Sequence, residues 1–125
     1  MMITGQLKLI LRLEGLVLFA AGLAAFLYLK QSVWIFAGLF LVPDLSMAAY
    51  FAGPRPGAIA YNIFHTTIGP LLMAIYGVLF GELFAQVLAS IWLAHIGLDR
   101  AVGYGLKYAT DFRDTHLGRI GASAK

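Results

Sequence analysis

The 125-residue chain contains no cysteine. Disulfides, thiolate metal sites and thiol nucleophiles are therefore excluded. Charge is scarce: Asp, Glu, Lys and Arg make up 12% of the residues, against about 25% in an average soluble domain. Only six residues are acidic, and the net charge of +3 is too small and too dispersed for a nucleic-acid surface. Apolar residues fill that space, at 61% of the chain with a mean hydropathy of +0.83. Such a balance belongs to a membrane protein of a single domain.

Four apolar segments stand out, about 7–29, 33–52, 58–80 and 83–105. Each approaches the ~20 residues that a helix needs to cross the hydrocarbon core. Helix is expected because backbone groups in lipid must be satisfied within their own segment. The apolar residues run on without alternation, unlike barrel strands. The N-terminal run from Gly15 to Leu29 is long, Glu14 interrupts its start and three more apolar segments follow, so it reads as a retained first span rather than a signal peptide.

The links "KQS", "GPRPG" and "GE" are short and force antiparallel neighbours. The expected fold is all-α: an integral-membrane up-down-up-down four-helix bundle over 1–105, with a polar, interfacial, cytoplasmic C-terminal tail over 106–125. Gly15, Ala20, Ala21, Gly22, Ala24 and Ala25 line the first span and suit close helix packing. Pro43 and Pro70 read as kinks whose freed carbonyls polar neighbours satisfy. Trp34, Phe36, Tyr50 and Phe51 read as lipid-facing or interfacial.

With four spans, Lys8, Arg12, Arg55, Arg100, Lys107, Arg113, Arg119 and Lys125 share one side, and Lys30 alone marks the other. The positive-inside rule then places both termini in the cytoplasm. Membrane lipids are the expected partners, with a homo-oligomer or a larger membrane complex also open and nucleic acid excluded.

Ionisable groups at membrane depth are candidate functional residues. Glu14, Asp44, His65, His95 and Asp99 each fall about 9–15 Å from the cytoplasmic end of their span, at 1.5 Å of rise per residue. They form one layer. His95 and Asp99 lie four apart and share a helix face, with Trp92 close to it; Tyr61 stands in the same relation to His65.

Two histidines with two or three carboxylates suit a divalent transition metal: zinc, manganese or iron. Asp44, His65, His95 and Asp99 provide the ligands, and Glu14 is left as a catalytic base. Arg12, Arg100, Tyr61 and Asn62 stand where a substrate would be held. Other readings stay open. The layer could move protons or ions. His65 and His95 could hold haem, which three neighbouring acids disfavour. The layer could also only fasten helices in an accessory or assembly subunit, with Asp44 paired to Arg12 and Asp99 accepting a bond from His65. In the tail, Asp114 and His116 could reach one ion from an extended or turning segment.

"LRLEG", "YNIFHT", "WLAHIGLDRAVGYGLKY" and "DTHLGRIG" resemble recurring blocks of a small bacterial four-span membrane family catalogued as a domain of unknown function. "VPDLS" (42–46), "FHT" (64–66) and "HIGLD" (95–99) follow in order like the motifs of membrane-bound metal-dependent hydrolases of the LexA-binding inner-membrane type. That resemblance implies metal ligation by Asp44, His65, His95 and Asp99, and hydrolysis of a lipid or phosphoester. Ser46 stands where that pattern has a second aspartate, and the His65 block lacks a second histidine. The implied site therefore holds one metal.

Overall fold

The computed structural model describes residues 5–103 and, in the tail, the backbone of 114–115 and 118–119. The apolar segments are helical. α1 runs Gly5–Tyr28 and α2 runs Val33–Leu39, continued by a 3₁₀-helix over Val42–Ala52. α3 runs Pro54–His65, α4 Ile68–Leu79 and α5 Leu83–Ala101. Asp114–Thr115 and Gly118–Arg119 pair as a short antiparallel ladder, so the tail holds the only extended pairing among the described residues.

Sequence chemistry sets the ends of these elements. Ser32 caps α2 by accepting a bond from the Trp34 amide at 3.2 Å. Gly81, at φ +63°, closes α4, and the Glu82 amide reaches back to the Gly77 carbonyl at 2.8 Å. This is the left-handed glycine stop of a Schellman turn. "GPRPG" is not the pure linker expected. α3 starts inside it at Pro54, because the first helical turn needs no amide donor and proline's fixed φ suits it. Gly53, at φ +125°, makes the corner.

The third apolar segment is broken into α3 and α4 at Thr66–Thr67. Pro70 explains the position, since its ring excludes the carbonyl four residues earlier, that of Thr66. α3 therefore ends with unpaired carbonyls. Side chains of α5 satisfy two of them: Trp92 Nε1 donates to the Phe64 carbonyl at 2.7 Å, and Arg100 Nη2 to the His65 carbonyl at 3.3 Å.

The 3₁₀ segment is unusually long. Its burial repeats every third residue: Val42, Leu45, Ala48 and Phe51 face outward, while Pro43, Asp44, Ser46, Met47, Ala49 and Tyr50 are covered to varying degrees. A 3₁₀-helix rises about 2.0 Å per residue, so eleven residues add about 22 Å to the ~10 Å of α2. The pair thus reaches about 30 Å, the thickness of the hydrocarbon core.

α5 is the centre of the packing. It contacts α1, α2 and α4, while the 3₁₀-helix packs on α3. On the α1 side the backbones nearly touch. A Cβ on Gly22 would stand 2.6 Å from the Ala94 nitrogen, and one on Gly15 2.7 Å from that of Ala101. Of the small residues expected to mediate this packing, Gly15 and Gly22 do so; Ala20, Ala21, Ala24 and Ala25 are not buried. Lipid removes the hydrophobic drive between helices, so such close van der Waals contact has to hold them.

On the α2 side, Phe26, Val87 and Ile91 form a core with Leu29, Phe36, Leu39 and Phe40. Phe36 is therefore a core residue, not a lipid-facing one. Tyr50 lies against Gly57, whereas Trp34 and Phe51 are exposed as expected. Ring contacts run from Phe26 through Phe36 and Phe40 to His95, at 5.1, 5.2 and 5.3 Å between centroids. Each such pair contributes about 0.5–1.5 kcal/mol beyond its buried area.

Among the described residues, three helical segments are long and apolar enough to cross a membrane: Gly5–Tyr28, Val33–Ala52 and Pro54–Leu79. The expected fourth, 83–105, is the shorter helix Leu83–Ala101 and falls outside that set. Its polar residues are the reason: Gln86, Ser90, His95, Asp99 and Arg100 are sheltered by the other helices rather than presented to lipid.

Candidate metal centre

Asp44 enters from the first turn of the 3₁₀-helix, His65 from the last residue of α3, and His95 and Asp99 from successive turns of α5. One ligand atom from each of the four lies within 4.8 Å of the others. His65 Nε2 is 3.1 Å from Asp44 Oδ1 and 3.5 Å from Asp99 Oδ2. His95 Nε2 is 3.2 Å from each of the same two oxygens. The two Nε2 atoms are 3.2 Å apart.

These are the edges of a small tetrahedron. Ligand atoms held 2.0–2.1 Å from a central ion in regular tetrahedral geometry are separated by about 3.3–3.4 Å. Five of the six edges here run from 3.1 to 3.5 Å, and the sixth, between Asp44 and Asp99, is bounded only by the 4.8 Å that spans the whole group. The four residues could hold a metal ion without a change of fold.

The same distances also lie within hydrogen-bonding range. His65 Nδ1 lies 2.8 Å from the Tyr61 carbonyl, which can only accept, so that nitrogen carries the proton. A neutral ring then turns the Nε2 lone pair toward two carboxylate oxygens and a second imidazole. One added proton would satisfy one of those three directions; an ion at the centre satisfies them all. A carbonyl holding the far nitrogen is also how ligating histidines are commonly oriented. Tyr61 adds a second restraint, since its ring stacks flat on His65 at 3.7 Å and 4°.

Charge leads to the same place. Two carboxylates in a low-dielectric interior need compensation, and a divalent cation supplies it in full. The histidine side chains are 4% and 1% exposed, those of Asp44 and Asp99 30% and 18%. The centre is thus closed on the imidazole side and opens through its carboxylates. His95 Nδ1 is buried without a hydrogen-bond partner among the described residues.

The rest of the expected layer is arranged differently. Glu14 is exposed on α1 and lies outside the group of four, within electrostatic reach of Arg100. The layer is therefore built by three helical segments rather than four. Arg12 does not pair with Asp44; its Nε donates to the Ala101 carbonyl at 2.8 Å and caps the end of α5. Arg100 is half-buried over the end of α3. Tyr61 is buried against His65, and Asn62 is partly buried on the same helix, its carbonyl accepting the Thr66 amide. Ser46 turns its hydroxyl to the Pro43 carbonyl at 2.8 Å, away from any ligand role. The Asp114 side chain and all of His116 lie outside the described residues.

Residues 8–120 match the family described as a domain of unknown function, DUF4260. The chain belongs to that family. No curated protein and no solved structure matches it. Asp44, His65, His95 and Asp99 fall within the matched region, as do Arg12 and Arg100. Sequence reasoning missed the roles of Trp92 and Arg100 in closing the α3 break, and the ring stack through Phe40. Pro70 signalled the break, but nothing local to it names its partners on α5.

Proposed function

We propose that this is a four-span inner-membrane protein that binds one divalent transition metal at Asp44, His65, His95 and Asp99 and uses it to hydrolyse a lipid or phosphoester. The observation that carries the metal is the convergence of the His65 Nε2 lone pair with three other electron-rich atoms at the spacing of ligands around one ion. Zinc suits near-tetrahedral nitrogen and oxygen ligands best, with manganese and iron next. In this reading α5 crosses within the shelter of the other helices. The centre lies at the end of the bundle that carries Arg12 and Arg100, which the positive-inside rule assigns to the cytoplasm.

A divalent ion there supplies Lewis-acid polarisation of a carbonyl or phosphoryl group and acidifies water. The chain's own residues do the rest. The imidazoles close the inner side, so substrate and water approach past Asp44 and Asp99. Arg100, next to Asp99 in the chain, holds an anionic substrate group with the donors that α3 does not use. Arg12 adds positive charge at the same end. Glu14, level with Arg100, is the remaining acid for the base role.

Elemental analysis of the purified protein tests the reading. About one zinc, manganese or iron per chain is expected, lost in His65→Ala and His95→Ala. Folded protein that contains no metal and takes up none on titration would sink it.

A further inference from the structure

A cavity of about 180 Å³ lies beside the metal centre. Its walls include Pro43, Phe64, Met73, Leu88, Ile91 and Trp92, drawn from the 3₁₀-helix, α3, α4 and α5. Two of these adjoin the cluster in the chain, Pro43 before Asp44 and Phe64 before His65, and Ile91 stands one turn before His95. The indole nitrogen of Trp92 is committed to the Phe64 carbonyl. A Cβ on Gly69 would stand 2.5 Å from the Trp92 ring, so the absence of a side chain there lets the indole lie across the start of α4. The wall is thus fixed and apolar.

We propose that this cavity takes a single hydrocarbon chain of an amphiphile whose carboxylate, ester or phosphate head lies at Asp44, His65, His95 and Asp99. The head placement rests on the metal reading above. The occupant follows from physical chemistry. Water gains nothing in a space without polar partners, and an unfilled apolar space forfeits contacts on every wall. At bilayer depth the apolar material at hand is lipid chain, and Phe64, 43% exposed, puts one wall at the outer surface, where a chain can enter sideways. The polar cluster at one margin selects a chain that carries a head group over plain hydrocarbon. The substrate class is therefore a single- or multi-chain lipid with an oxygen-rich head.

The two tryptophans make the test direct. Trp34→Phe leaves Trp92 in the cavity wall; Trp92→Phe leaves Trp34, which is 79% exposed on α2. Full-length protein in detergent is titrated with a fatty acid brominated in mid-chain, which quenches indole fluorescence on contact. Trp92 quenching is expected to saturate at about one equivalent, while Trp34 quenching follows the brominated fraction of the micelle without saturating. Leu88→Phe and, independently, Met73→Phe fill the space from opposite sides, and either is expected to weaken the saturable phase about tenfold. Parallel, non-saturating quenching of both indoles would overturn the proposal, as would saturation untouched by both fillers in folded protein. Zinc-loaded protein is expected to bind the acid about tenfold tighter than chelated protein. Saturation indifferent to zinc would remove the head from the metal while leaving the chain site standing.

Discussion

α5 is buried on two faces by different physics. Toward α1 it is held by missing side chains: Gly15 and Gly22 let the backbone approach Ala94 and Ala101 to a distance no Cβ would allow. Toward the 3₁₀-helix and α3 it is held by polar groups that converge on a point, with His65 and His95 nearly inaccessible. The first contact is stable as it stands, because it is dispersion between close-packed surfaces. The second gathers lone pairs and negative charge in a low-dielectric place, a cost that a bound cation would offset. The difference teaches that the seam sets the depth and rotation of α5, and that a metal bound at the second contact would use a position already fixed.

That comparison can be broken in order of expected effect. Gly22→Leu drives a side chain into backbone atoms and is expected to cost about 3 kcal/mol, seen as a lower unfolding temperature with or without added metal. His95→Ala leaves the seam intact and should remove stoichiometric metal, while the apo protein keeps its helical circular dichroism. Loss of fold in His95→Ala at zero metal would mean that the polar face, too, holds the helices by itself.

Metal should stabilise the wild type but not His95→Ala, by about 2.7 kcal/mol at a hundredfold excess over Kd, read as a rise in unfolding temperature that chelator reverses. The same titration in acid should give less, since both imidazoles and carboxylates must shed protons to bind, so affinity falls as pH falls. Tyr61→Ala removes the stacked ring and should weaken metal binding about tenfold, with Tyr61→Phe restoring it. The smallest effect belongs to the seam's rim. Arg12→Ala loses the cap on Ala101 and should cost about 0.5 kcal/mol without touching metal content.

Much of the centre was legible in the residues. His95 and Asp99 are four apart on one helix, Tyr61 and His65 likewise, and helical geometry alone makes each pair share a face. The shared depth of Asp44 and His65 with that pair followed from a constant rise per residue. Glu14 satisfied the same depth test and still lies outside, because depth says nothing about rotation about the helix axis. The 3₁₀ form of Val42–Ala52 was hidden for another reason: its apolar residues are compatible with either helix, and packing on α3 decides between them. The fourth apolar segment was read as lipid-crossing from its average composition, which cannot distinguish a helix bathed in lipid from one sheltered by its neighbours.

By itself the sequence determined that this chain is helical and membrane-compatible, since lipid leaves backbone groups no partner outside their own segment. Only the tertiary structure decided which of those polar residues meet. Whether Asp44 reaches His95 across 51 positions of chain depends on how closely α1 lets α5 approach, and on the α3 break that aims His65 inward. Both are properties of packed surfaces, which no local pattern encodes.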